Sequence, residues 1–412
     1  MLSHNIAIVG AVDAGKSSLI GVLSTGTLDD GNGKSRENVL TLKHEKESGR
    51  TSNINVVKVL NPFEKGTVSQ IRFLDLAGHE KYLRTTLRGL TSFFPDYAIL
   101  VISASKGITR ITRDHFNICR SLSIPVLIVI TKIDIAPPET FKQTLESVRL
   151  LCRRLQIKFT FDCSRGEGRE EVLEILSVNP LVVSPIFSVS NVKGDGLDLL
   201  KSFLFCLPQL QTAPRANFIR KFASLRGIRK LFFILTPYRV EGIGLVLYGE
   251  NFLEPIAVGD KLVLGPLGKE YVDIRVKSIH NEFSEVVSRL EPGQHGCLAI
   301  RPMDSKSEIS KDSLKRGRVL INTPVLVNKV VADVVILTSS TTINIGYTPY
   351  IHCANVSVCG RIIGGDNFPL RSGKRSSVTF QFLTPQFIYP GARLVFRDGY
   401  VKGIGVIKEI LP

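Results

Sequence analysis

The chain has 412 residues, with 53 lysines and arginines against 37 aspartates and glutamates, a formal net charge of +16. That length suffices for about two to four domains with sizeable cores, and the positive excess favours a polyanionic partner, nucleic acid before membrane. Seven scattered cysteines without a C-x-x-C pair exclude a disulfide framework and argue against a structural zinc site; they indicate reduced thiols in a cytosolic or nuclear compartment.

The amino terminus "MLSHNIAIVG" is too short and polar for a signal peptide. The longest apolar runs, "YAILVISA" and "IPVLIVI", fall far short of the roughly 20 residues that span a bilayer. The expectation is a soluble, cytoplasmic chain without a membrane association.

The first apolar run, "NIAIVG", reads as a buried strand, and "SSLIGVLS" soon after it reads as the start of a helix. Between them "GAVDAGKS" meets the spacing G-x-x-x-x-G-K-S. A loop that turns its backbone N–H groups toward one point and then opens a helix makes a positive cradle for phosphate. Gly10 and Gly15 permit close approach, Lys16 reaches the β- and γ-phosphates, and the Ser17 hydroxyl is placed to ligate Mg²⁺. Val12, Asp13, Ala14 and Ser18 complete this cradle.

Residues 25–53 form a long, Gly-rich, charged span, a length that marks a functional or disordered loop. Strand candidates then follow at "SQIRFLDLAG", "DYAILVISA", "IPVLIVITKID" and "SPIFSVS", separated by helical stretches such as "RDHFNICRSL" and "TFKQTLESVRLLCRRL". The alternation predicts a doubly wound, mainly parallel sheet that binds its ligand at the strand carboxyl ends.

Further nucleotide signals fall at those ends. In "DLAGH", Asp75 can hold Mg²⁺ through water, and the Gly78 N–H can reach a γ-phosphate. In "TKID", Asp134 can accept from guanine N1 and N2, a donor pair that adenine lacks, while the Lys132 stem packs along the base. Ser190, Asn191 and Val192 end the last apolar run and offer backbone N–H to guanine O6. Each signal alone is an ordinary turn. Their order along one alternating fold predicts a GTP-binding chain.

From about residue 213 the texture changes to short strands punctuated by Gly, Pro and Asn, with a second break near "DSLKRGRVLIN". The expected architecture is multidomain, α/β followed by all-β: a P-loop GTPase domain at 1–212 and two β-barrel domains at 213–316 and 317–412. No low-complexity segment or tandem repeat interrupts it. Basic residues gather in "RKFASLRGIRK" (Arg220, Lys221, Arg226, Arg229, Lys230) and "RSGKR" (Arg371, Lys374, Arg375), as RNA phosphate contacts or as solvated faces. "RLLCRRLQIK" reads as an ordinary amphipathic face.

The phosphate loop, "DLAGHEKY", "TKID" and "SNVKGDGL", with two β modules behind them, resemble the translational GTPases related to elongation factor Tu and elongation factor 1-alpha. More narrowly, "LKHEKESGRTSNI", "DLAGHEKYLRTTLRGL", "PIFSVSNV", "VKSIH" and "RLVFRDG" are similar to the GTP-binding protein 1 and 2 subfamily, over nearly the whole chain. The chain departs from elongation factor Tu at Thr131, where that protein has Asn, and at Ala77, where it has Pro; the subfamily shares both changes. Arg50 replaces an apolar residue before Thr51, which weakens a hydrophobic gate made with Val12.

The resemblance implies GTP hydrolysis to GDP, with Ser17 and Thr51 on Mg²⁺ directly and Asp75 through water. Lys16 would offset charge on the leaving oxygen, and His79 would orient the attacking water once a partner pushes it inward. Asp13 would hold a monovalent cation. The remaining histidines, at 4, 44, 115, 280, 295 and 352, have no motif neighbours and read as surface or structural. With no arginine finger legible, turnover is expected to be slow until a partner acts. Thr51, near the end of the long loop, makes that loop a switch ordered by γ-phosphate and Mg²⁺. Three roles follow for a monomeric chain: delivery or survey of tRNA on the ribosome, an RNA surveillance or decay adaptor that binds mRNA-associated proteins, or a regulatory GTPase subunit such as that of ATP sulfurylase.

Overall fold

The computed structural model describes residues 2–40, 45, 51–63, 67–166, 168–210, 218–220, 227–304, 309, 314, 317–337, 342–398 and 400–411. Arg50, His44, Lys221, Arg226 and the expected boundary residues 212, 213 and 316 lie outside them. The chain divides into two compact units, Met1–Ala216 and Asn217–Pro412.

In the first unit the apolar run 6–9 is fully buried in β1 (Leu2–Gly10). A strand covered on both faces has no polar side to expose, which is why it reads as a continuous run. With β2 (Asn55–Leu60), β3 (Val68–Asp75), β4 (Tyr97–Ser103), β5 (Val126–Thr131), β6 (Phe159–Asp162) and β7 (Val183–Ser188) it forms one sheet in the order β2-β3-β1-β4-β5-β7-β6. Helices α1 (Lys16–Thr25), α2 (Leu83–Ser92), α3 (Arg110–Ser121), α4 (Pro138–Arg154), α5 (Arg169–Val178) and α6 (Leu197–Leu204) connect the strands. β1 pairs in parallel with β3 on one side and β4 on the other. Strand order therefore reverses beside β1, which opens a crevice at its carboxyl end.

Two edge strands escaped the sequence reading. β2 pairs antiparallel with β3 and leaves Leu60 exposed, and β6 pairs with β7 with both Phe159 and Asp162 exposed. Short, half-covered edges carry little hydrophobic pattern. On α4 Cys152 is buried while Arg153 and Arg154 are exposed, the amphipathic face expected of that run.

The second unit begins with β8 (Leu231–Val240), β9 (Gly244–Asn251), β10 (Ile256–Ala257), β11 (Lys261–Leu267), β12 (Glu270–Asn281), β13 (Val286–Val287), β14 (Arg289–Leu290), β15 (His295–Pro302) and β16 (Val319–Ile321). The order β11-β16-β8-β9-β15-β12 closes on itself because β11 also pairs β12, around a core that includes Phe232, Leu247, Ile274 and Leu298. A second closed barrel follows from β17 (Val327–Ile336), β18 (Tyr350–Cys353), β19 (Val356–Gly365), β20 (Arg375–Gln386), β21 (Arg393–Asp398) and β22 (Tyr400–Leu411). Closure removes the open edges that would otherwise invite aggregation.

Phe218 welds the two barrels into one unit. Its buried ring meets Phe233 and Phe252 of the first at 5.2 and 4.9 Å and Tyr389 of the second at 5.0 Å. Of the basic residues, Lys230 is ion-paired with Asp260, whereas Arg371, Lys374 and Arg375 are exposed around the turn that enters β20.

Candidate functional site

The crevice beside β1 holds the phosphate loop. Gly10 has φ 143°, and a Cβ there would stand 2.3 Å from the Val101 oxygen, so only glycine lets the strand turn this close to β4. α1 starts at Lys16 behind Gly15. The Lys16 ammonium is buried and donates to the Ala11 carbonyl at 2.9 Å. Burial draws it below the ordinary lysine range, against the opposing pull of Asp75 and Asp13. Gly78 closes over the same loop: a Cβ on it would lie 2.3 Å from Lys16 Nζ and 2.7 Å from the Gly10 oxygen.

Next to Lys16 two hydroxyls converge on one carboxylate. Ser17 Oγ donates to Asp75 Oδ2 at 2.7 Å, Thr51 Oγ1 donates to the same oxygen at 2.9 Å, and the hydroxyls are 3.1 Å apart. Thr51 thus reaches the site although 34 residues separate it from Ser17. Asp75 is fully buried, and its Oδ1 has no hydrogen-bond partner among the described residues. Burial pushes its carboxyl up, outweighing Lys16 and the two hydroxyls. A hard-oxygen set with an unsatisfied carboxylate oxygen fits Mg²⁺.

At the other end lie the residues expected to read the base. Thr131 ends β5 and donates to the Ala14 carbonyl at 2.6 Å. Lys132 follows with φ 62°. Asp134 Oδ1 accepts from Ser190 Oγ at 2.8 Å, and that hydroxyl in turn accepts from the Lys193 N–H at 3.0 Å. The Ser190 N–H, expected to be offered to the base, is instead engaged with the Asp195 carbonyl at 3.0 Å, and its hydroxyl braces Asp134.

These ends share one cleft of about 250 Å³. It is lined by the loop from Val12 to Ser18 apart from Ala14, by Thr51, Gly78 and His79, and by Lys132, Asp134, Asn191 and Val192. Gly10, Ala14, Asp75, Thr131 and Ser190 stand outside the lining and support it. His79 is exposed at the rim, where its Nδ1 accepts from the Lys81 N–H and caps the short helical turn Glu80–Tyr82.

Several site residues carried no sequence signal. His115, read as merely surface or structural, is buried on α3, and its Nδ1 accepts from the Gly10 N–H at 3.1 Å, bracing the start of the phosphate loop. Burial, with Lys16 nearby, pushes its pKa down to about 3, so the ring is neutral. Lys106 brings its ammonium 3.4 Å from Asp13 Oδ2 in an exposed pair. Asp29, Gly31, Asn32, Gly33 and Arg36, from the long span whose switch reading rested on Thr51, form a further wall of the cleft.

Fold and site together define a P-loop guanine-nucleotide-binding protein with two following β-barrels. The elongation factor Tu GTP binding domain family matches residues 2–210, and the chain belongs to that family. GTP-binding protein 1 of Xenopus laevis is 33% identical over 442 residues, covering 100% of this chain and 64% of that protein. GTP-binding protein 2 of Homo sapiens is 33% identical over 439 residues, covering 99% of this chain and 69% of that protein. The chain thus spans about two thirds of these relatives. Among solved structures, the GTPase-like domain of Saccharomyces cerevisiae Ski7 bound to GTP superposes with a TM-score of 0.70 at 14% identity, over 98% of this chain and 97% of that one.

Proposed function

We propose that this chain binds GTP and GDP, hydrolyses GTP to GDP with Mg²⁺, and works as an elongation-factor-like switch whose partners are the ribosome and tRNA or another RNA. The observation that carries this reading is the convergence of Ser17 and Thr51 on Asp75 beside Lys16, with Lys16, Ser17 and Thr51 lining the same cleft as Asp134. The three-part division at 1–212, 213–316 and 317–412, a monomeric state and a cytoplasmic location belong to the same proposal.

Phosphoryl transfer to water needs positioning and charge neutralisation more than covalent chemistry. Bound at Ser17, Thr51 and Asp75, Mg²⁺ would neutralise phosphate charge. Lys16 faces the phosphates with a charge already stripped of water, so its field is weakly screened. The Gly78 N–H and Thr51 sense the γ-phosphate, which ties its presence to the segments on either side of the cleft. His79, exposed at the rim, orients the attacking water only when pushed inward, which is why turnover without a partner is slow. Asp13 already carries the Lys106 ammonium, and a monovalent cation would compete with it.

The test is single-turnover GTP hydrolysis by the purified chain, alone and with vacant or tRNA-programmed ribosomes, beside His79→Ala. Stimulation by ribosomes that disappears in the variant supports the reading. Tight GTP binding with hydrolysis indifferent to ribosomes would turn the search to RNA surveillance or decay proteins.

A further inference from the structure

The segment after α1 is built as a strut. Asp29 Oδ1 accepts from the Ser35 N–H at 2.9 Å and from Ser35 Oγ at 2.6 Å, and the Asp29 N–H donates to the Asn191 carbonyl at 2.9 Å. Ser35 Oγ also lies 3.3 Å from the Ser18 carbonyl, and a Cβ on Gly21 would stand 2.1 Å from the Ser35 oxygen. The segment is therefore fastened at one end to the base-reading loop and at the other to the first turns of α1. A short 3-10 helix, Lys34–Asn38, follows Gly33 and carries Arg36.

Arg36 is half-buried and lines the cleft, with its guanidinium laid over Gly33, where a Cβ would meet Nε at 2.5 Å and Cζ at 2.6 Å. Among the described residues its guanidinium makes one hydrogen bond, from Nη2 to the Asn32 carbonyl at 3.3 Å. Among the described residues no carboxylate stands within ion-pair distance of it, and the carboxylate of its own wall, Asp29, is committed to Ser35. A planar, permanently charged fork with donors to spare, held on a braced wall of a phosphate-binding cleft, matches the geometry of phosphate oxygens.

We propose that Arg36 is a nucleotide-binding residue that donates to the phosphates common to GDP and GTP, positioned by the Asp29–Ser35 strut. This rests on the guanine-nucleotide reading of the cleft. It adds a cation supplied in cis from a segment that the phosphate-loop and base-reading motifs do not include.

The experiment measures GDP, GTP and guanosine binding by the full chain and by Arg36→Ala and Arg36→Lys. Charge-assisted contacts of this kind predict that Arg36→Ala weakens GDP and GTP alike by about 10- to 100-fold. Guanosine binding should stay unchanged, the salt dependence of GDP affinity should become shallower, and Arg36→Lys should recover part of the loss. GDP binding by Arg36→Ala equal to that of the parent chain overturns the proposal, as does an equal loss of guanosine, which would make the wall only structural. Failure of the parent chain itself to bind GDP or GTP would remove the nucleotide reading, and this inference with it.

Discussion

The Thr131 hydroxyl donates to the Ala14 carbonyl over 2.6 Å and lies 3.3 Å from the Ile102 carbonyl, so the end of β5 is tied to the crest of the phosphate loop. This contact is one of the ties that join the two ends of the cleft, beside the Asp29–Ser35 strut. Thr131→Val keeps the shape and removes the donor, leaving a buried carbonyl unpaired at a cost of about 1–3 kcal/mol. GDP affinity should fall by about tenfold, each 1.4 kcal/mol being a factor of ten. Thr131→Asn restores a donor and should bind GDP nearly as the parent chain does. Equal affinity for the valine and parent chains in a GDP titration would refute the coupling.

Asp134 lines the cleft and accepts from Ser190 with one carboxylate oxygen, Oδ1. In Asp134→Asn the amide oxygen can keep the Ser190 bond while its NH₂ faces the base. Guanine would then meet a donor where it needs an acceptor, and xanthine the reverse. A site built around such hydrogen bonds discriminates strongly, and the preference should swing from GTP to XTP by about 100-fold or more. Competition binding of the two nucleotides reads this directly, and an unchanged order of preference would place the base elsewhere.

His115 links the phosphate loop to acid stability. Its folded pKa of about 3 lies below the unfolded value of about 6.5, so between these values the unfolded chain binds the extra proton. The stability it contributes is complete above pH 6.5 and drains away as the pH falls toward 3, by about 1.4 kcal/mol per pH unit. His115→Asn keeps an acceptor for the Gly10 N–H and has no proton to gain. Urea unfolding at pH 7 and pH 5 should show a smaller acid loss in the variant; parallel losses would contradict the assignment.

Glu45 holds the residues that follow Thr51. Its buried carboxylate accepts from the Ser52 N–H at 2.7 Å, Ser52 Oγ at 2.9 Å, the Asn53 N–H at 2.9 Å and Asn55 Nδ2 at 3.3 Å. Burial would raise this carboxyl, but the bonds from Ser52, Asn53 and Asn55 outweigh it and hold it below the usual range. Glu45→Ala frees the segment and, with it, Thr51. Loss of such a support should raise the Mg²⁺ concentration needed for half-maximal GTP hydrolysis by about 10- to 100-fold. GDP affinity should not change, because the phosphate loop and base-reading residues do not touch Glu45. An unaltered Mg²⁺ dependence would show that Thr51 is held by other means.

The sequence by itself determined the elements whose physics is local. A fully buried strand must be written as an apolar run, and a backbone cradle for phosphate needs glycines and a lysine at fixed offsets, so β1, the phosphate loop and the strand-end residues Asp75 and Asp134 were legible. So was the change to short, punctuated strands in the second part of the chain, since barrel strands cannot hide their turns.

Only the tertiary structure decided what depends on closure and on distant contacts. β2 and β6 exist because neighbouring strands offer them an edge, and their own half-exposed sequences carry too little pattern to announce it. Thr51 reaches Asp75, His115 braces Gly10 and Phe218 joins the barrels across separations that no periodicity encodes. The span after α1 read as a switch loop through Thr51 alone, because its polar residues bond to one another, as Ser35 does to Asp29, and to backbone groups far along the chain, as Asp29 does to Asn191. Composition counts polar groups without showing which of them folding will pair, and those pairings placed Arg36 in the wall of the cleft.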